Sequence, residues 1–313
     1  MLITPYRRVL RPGISTTSRL VLSQPTPLTG TCRPPLKRLS LPTTMTSTLA
    51  SKSQKTTSSS GGEGAPYELL YWPGIPGRGE HVRLCFEATS TPYTDVCNAS
   101  KSNMSQLISL ISDKNTGDET NPPPLAPPVL RHGDLLVSQT PNILLYLGKR
   151  LGLAGAEGDE NAIYHVNQLA LTALDGLGNE AHDTHHPIAT SAYYEDQKPE
   201  AKKKAEDYTA NRLPKFLDYF ERVLEGQASR GGEYLYGGQI TYADLVLWQC
   251  LDGVSFAFPK AIGGLKKGGK YGKVFALYER VKGLEEIKEY LGSERRMRYG
   301  MGIYRHYPEL DSE

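Results

Sequence analysis

Acidic residues are missing from the first 62 positions of this 313-residue chain, yet nine basic residues stand there. They are Arg7, Arg8, Arg11, Arg19, Arg33, Lys37, Arg38, Lys52 and Lys55. With those nine set aside from 36, 27 basic residues face 34 acidic ones, so residues 63–313 carry a net charge of −7. An acidic globular part argues against nucleic acid as partner, because phosphate binding draws on basic surface. Cysteine is scarce as well. Cys32, Cys85, Cys97 and Cys250 are scattered, with no CxxC and no paired spacing. That pattern fits a reducing compartment and gives no sign of a disulfide framework. No uninterrupted apolar run approaches roughly 18 residues, so no transmembrane helix and no membrane partner are expected.

What remains is enough for two domains, at about 150 residues each. Residues 1–66 are rich in Ser, Thr, Pro and basic side chains and read as a basic leader and linker without fixed structure. The first twenty interleave Arg with apolar residues, a composition that suits a mitochondrial transit peptide. A start at Met45 would instead give a product without that leader, and a cytoplasmic one. Pro12 weakens any helix here, and SQKTTSSSGGEGAP is linker composition.

Folded structure is expected from Tyr67. Tyr67 to Trp72 reads as a strand, followed by an irregular Pro/Gly loop. From Gly79, Val82, Cys85 and Phe86 fall at helical spacing, and Pro92 closes that helix. Tyr93 to Val96 is a second strand and Met104 to Ile111 a further helix.

The densest stretch is PPVLRHGDLLVSQTPNILLYL, residues 127–147. Val129 to Arg131 and Leu135 to Val137 form a hairpin around His132-Gly133-Asp134. Thr140 reads as an N-cap and Pro141 as N1 of a helix with Ile143, Leu144 and Leu147 on its apolar face. A helix start is an anion site, and here it carries Gln139 and Thr140. Pro128 is a candidate cis proline. Residues 67–152 thus make a thioredoxin-like α/β domain. Residues 153–160 read as a linker and 161–313 as an all-helical domain. The helical segments are 162–181, 199–224, 241–254 and 273–291, and Thr241 with Asp244 forms a capping-box start.

This layout, with its motifs, resembles the cytosolic-type glutathione transferases, in a fungal-looking and distantly sigma-like form. Tyr71-Trp72 before Gly77-Arg78-Gly79-Glu80, Pro128-Val129-Leu130, Gln139-Thr140 and the run from Leu235-Tyr236-Gly237 to Asp244 carry the resemblance in order. It covers roughly residues 67–300. The resemblance implies a thioredoxin-like domain followed by the family's all-α domain, a homodimer, and conjugation of glutathione to small hydrophobic electrophiles. Glutathione would be a co-substrate, with no cofactor. Tyr71 would be catalytic. Arg78, Pro128, Val129, Gln139 and Thr140 would hold glutathione.

Two departures stand out. Pro127 lacks the N–H that the family's residue before the cis proline gives to glutathione. The family's Trp and Lys for the glycine carboxylate have no match between Val96 and Thr120, leaving Lys101 or Lys114 as stand-ins. His182, His185 and His186 share a helix face and are expected near the mouth of the electrophile pocket. No metal is expected there, because no spaced partner motif accompanies them. Asp175 matches an acidic position near the relatives' dimer groove. Two other readings stay open: a non-catalytic binding or regulatory protein on the same scaffold, and a glutathione-dependent isomerase or peroxidase.

Overall fold

The computed structural model describes residues 64–311. The leader and its two alternative starts lie outside the described residues.

Four strands and four helical pieces come first. Strand β1 (Tyr67–Leu70) is followed by α1 (Gly79–Ala88), β2 (Tyr93–Asp95), α2 (Val96–Ala99) and α3 (Met104–Leu110). The hairpin β3 (Val129–His132) and β4 (Leu135–Ser138) then runs into α4 (Thr140–Arg150). The sheet order is β2-β1-β3-β4, with β1 and β2 parallel and the other pairs antiparallel. Side chains alternate across a strand, and the sheet uses this to sort its two cores. Leu69 and Leu130 pack on one face with Val82, Phe86 and Ile143. Leu70 and Val129 point to the other face and pack with Val96, Cys97 and Leu107.

The helical domain holds α5 (Ala162–Ala173), α6 (Glu180–Asp183), α7 (Lys198–Asp207), α8 (Leu213–Glu225), α9 (Tyr242–Ala257), α10 (Pro259–Lys267), α11 (Gly272–Lys282) and α12 (Glu285–Leu291). Helix α9 is its axis. It is apolar nearly all round and buried, as a central helix must be. Its start is the predicted capping box. The Asp244 carboxylate accepts from Thr241 N–H at 2.8 Å, Thr241 Oγ1 at 2.7 Å and Leu235 N–H at 2.8 Å. The domains meet where Gly148 of α4 faces the Tyr242 ring, and Leu153 C=O accepts from Tyr242 N–H at 2.9 Å.

A buried ionic network also joins them. Glu80 of α1 is fully buried and meets Arg83, Tyr290 Oη and Arg296. Arg83 Nε reaches Asp95 at 2.7 Å, and Arg296 Nη2 reaches Asp252 at 3.0 Å.

Three helix expectations need correction. Residues 162–181 are interrupted by a π turn, Leu174–Asn179, where Gly176 lets the Phe216 ring close in. Residues 199–224 are interrupted by another, Tyr208–Arg212, just before Pro214. Proline has no N–H and would clash with the carbonyl four residues back, so an uninterrupted α-helix is disfavoured there. Residues 273–291 break at Gly283, and α10 was not predicted at all.

Candidate active site

The strand register builds the site. Leu70 pairs with Val129, and Val129 pairs with Ser138. One step beyond this rung stand Tyr71, Pro128 and Gln139, so the three predicted residues line one end of the sheet. The Pro127–Pro128 peptide is cis. Pro128 and Val129 are buried beneath this edge.

The helix start differs from the expected one. Gln139 is the N-cap, at φ 71°, and Thr140 is the first helical residue. Ile143 N–H donates to Gln139 C=O at 2.9 Å, the first bond of the helix. The strand must become a helix within one residue, and a left-handed residue makes that turn. Gln139 remains exposed, while Thr140 is 2% exposed. The Thr140 hydroxyl is buried and has no hydrogen-bond partner among the described residues. A buried polar group normally has one. Here it lies among the free N–H groups of the α4 start, a donor-rich place for a carboxylate.

Tyr71 is 5% exposed. Its hydroxyl oxygen accepts from Arg78 N–H at 2.8 Å. Burial raises its pKa, and the Arg78 N–H and nearby arginine charges only partly oppose this. The phenol therefore stays protonated at neutral pH and keeps a hydrogen to donate. Two glycines make room for it. A Cβ on Gly77 would lie 2.2 Å from the Tyr71 hydroxyl oxygen, and one on Gly79 would lie 2.7 Å from the ring. Gly77 also sits at φ +48°. The signal Gly-Arg-Gly was visible in the sequence; its reason is the tyrosine ring.

Arg78 reaches across to the helical domain. Its Nη2 donates to Asn179 Oδ1 at 2.8 Å, and Asn179 Nδ2 donates to Asp175 Oδ1 at 3.2 Å. Asn179 sits on the π turn and was not singled out from sequence, because nothing local marks it. The Arg78 charge also contributes to lowering the His182 pKa, after burial and the neighbouring histidine. Tyr71, Arg78, Asn179 and His182 thus form one neighbourhood. His185 does not join a pocket wall as expected. It is 1% exposed, with Nε2 3.0 Å from Ile303 C=O, so it pins the C-terminal segment. Gly302 of that segment lies against Ile75, in the loop between Trp72 and Gly77.

Lys101 and Lys114 are both exposed. Lys114 lines a surface hollow with Ile108 and Leu110, which none of Tyr71, Pro128, Gln139 and Thr140 lines. A cleft of about 920 Å³ lies elsewhere, between Phe86, Tyr93, Glu286 and Arg295. None of the predicted site residues lines it.

Comparison with known proteins bears on the family and the fold. Residues 182–294 match the family model "Glutathione S-transferase, C-terminal domain". The chain is 24% identical over 234 residues to a glutathione S-transferase of Plasmodium falciparum, covering 74% of this chain and 98% of that one. It is 28% identical over 234 residues to glutathione S-transferase Mu 2 of Rattus norvegicus, covering 74% and 92%. Among solved structures, the Pi-class glutathione S-transferase of Onchocerca volvulus shares the fold. It matches with a TM-score of 0.53 and 22% identity, over 72% of this chain and 91% of that one.

Proposed function

We propose that this chain, of the glutathione S-transferase family, is a working transferase that uses Tyr71 to stabilise the thiolate of glutathione. The thiolate then displaces a leaving group from, or adds to, a small hydrophobic electrophile. The observation that carries this reading is the Tyr71 hydroxyl itself: protonated, nearly dry, and accepting from Arg78 N–H at 2.8 Å. That bond polarises the phenol and orients its own hydrogen outward.

A free cysteine thiol has a pKa of about 8.5, so little thiolate exists at pH 7. Lowering it by two units takes about 2.7 kcal/mol. A charge-assisted O–H donor in a dry site is of that order. The glutamyl carboxylate of glutathione would lie at Gln139 and Thr140, where the orphaned Thr140 hydroxyl supports an incoming acceptor. Pro128 and Val129 would flank its cysteine. Pro127 offers only its carbonyl there, which costs one hydrogen bond and makes glutathione binding modest. Arg78 would act mainly through its backbone and through Asn179, which fixes the loop against the helical domain. His182 would border the electrophile.

The test is retention on immobilised glutathione, followed by a conjugation assay with a chromogenic aryl halide. Tyr71→Phe should raise the pKa read from the pH–rate profile towards 8.5 and lower turnover at pH 6.5 by about 50-fold. Full activity in that variant would remove Tyr71 from the mechanism. Absence of glutathione binding would leave the non-catalytic scaffold reading. Size-exclusion chromatography should find a homodimer. A reporter fused to residues 1–62 distinguishes mitochondrial import from a cytoplasmic product starting at Met45.

A further inference from the structure

The run Glu180–His186 holds three of the chain's seven histidines. They fall at i, i+3 and i+4 along α6 and the turn after it, which brings them to one face. Their ring centroids stand 4.9, 5.1 and 4.8 Å apart in pairs. One nitrogen from each lies within 4.8 Å of the others. In a tetrahedral site with Zn–N bonds of about 2.0–2.1 Å, ligand nitrogens are roughly 3.4 Å apart. Side-chain rotation over about an ångström closes that gap.

A second observation points the same way. His185 Nδ1 and His186 Nδ1 are both buried and have no hydrogen-bond partner among the described residues. His185 Nε2 faces Ile303 C=O at 3.0 Å, so Nε2 carries the hydrogen and Nδ1 presents a lone pair. His182 Nδ1 lies 3.4 Å from Asp183 Oδ1, which leaves its Nε2 free to ligate. This is the outer-shell arrangement that orients metal-bound imidazoles. Arg78 and Arg305 stand near enough to oppose a cation, and Asp183 offsets them in part.

We propose that His182, His185 and His186 bind a divalent zinc-class cation, with a fourth position open to water. Imidazole donors suit zinc, copper, nickel and cobalt, and a three-ligand set leaves one position open. The ion would clamp the end of α6 to the C-terminal segment through His185 and Ile303. That segment passes Ile75, near Tyr71, so the site borders the proposed electrophile pocket without sharing its residues for glutathione.

The full chain, without tag histidines and without glutathione, is stripped with chelator and titrated with Co²⁺. One Co²⁺ per chain should bind with a tetrahedral visible spectrum, and one Zn²⁺ should displace it. His182→Gln and His186→Gln should each weaken Co²⁺ binding by at least about tenfold with an unchanged helical circular dichroism spectrum. His185 is left in place because it holds Ile303. No tetrahedral spectrum in the parent overturns the proposal. So does a spectrum that survives the His182→Gln/His186→Gln double variant. Neither outcome touches the reading of Tyr71, which is measured without metal.

Discussion

Arg296 should be worth several kcal/mol, although it follows the last helix and takes no part in the proposed chemistry. Its guanidinium is nearly buried, at 9% exposure, and pairs with Glu80 and with Asp252 at 3.0 Å. It also donates to Gln249 Oε1 at 3.2 Å and to Tyr299 Oη at 3.1 Å. Burial alone would lower its pKa, but Glu80, Tyr299 and Asp252 hold it above its ordinary value. Three carboxylates, Glu80, Asp95 and Asp252, are balanced here by Arg83 and Arg296. Arg296→Met leaves three against one. Removing one partner of a buried pair costs about 3–5 kcal/mol. The lower end applies, because Glu80 keeps Arg83 and Tyr290, and Asp252 keeps the Tyr278 and Tyr299 hydroxyls. The expected loss is about 3 kcal/mol, or roughly 6–12 °C in Tm. Urea denaturation and thermal melts measure it. Adding Glu80→Gln to Arg296→Met should recover part of the loss, since the stranded charge is then gone. A single variant within about 1 kcal/mol of the parent would refute the reasoning. So would a double variant that is simply additive.

Asp244→Ala should cost about 2–3 kcal/mol by urea denaturation, because it strands two backbone N–H groups and the Thr241 hydroxyl. Burial pushes that carboxyl up to about 6, which offsets some of the gain from its three donors and keeps the figure low. His81 is buried, with Nδ1 unpartnered, and its pKa falls to about 3, through burial first and then Arg78 and Arg296. It is neutral when folded and takes a proton near pH 6.5 when unfolded. Its stabilising effect is full above pH 6.5 and is lost as pH falls towards 3, by about 1.4 kcal/mol per unit. His81→Leu should flatten the unfolding free energy against pH between 6 and 4 by that slope, and an unchanged slope counts against it. Gly79→Ala would set a methyl 2.7 Å from the Tyr71 ring. It should lower conjugation about a hundredfold while the helical signal stays intact.

Local patterns carried the domain order a long way. Short apolar and aromatic runs bounded by turn residues marked the strands at Tyr67–Trp72 and in the hairpin, since a strand between two cores is apolar on both sides. Thr241 and Asp244 marked the start of α9, since a cap is complete within four residues. Most helices of the second domain were legible as helical segments, yet α10 and the interruptions were not. Gly176 yields to Phe216, which comes from another helix, and no window around Gly176 contains that ring. The cap at Gln139 was misread for a similar reason. A hydroxyl residue followed by proline looks like a cap, but the strand geometry before it sets where the chain turns.

For the site, the sequence by itself determined which chemical groups are present: a tyrosine before a glycine loop, a proline pair, a Gln-Thr helix start, three close histidines. It did so because each is local and its type carries its chemistry. Only the tertiary structure decided what those groups face. Strand register set Tyr71, Pro128 and Gln139 on one edge. Contact between domains turned Arg78 towards Asn179 and buried His185 against Ile303. Such pairings span about a hundred residues, and their energy lies in packing and desolvation, which no short stretch of chain encodes.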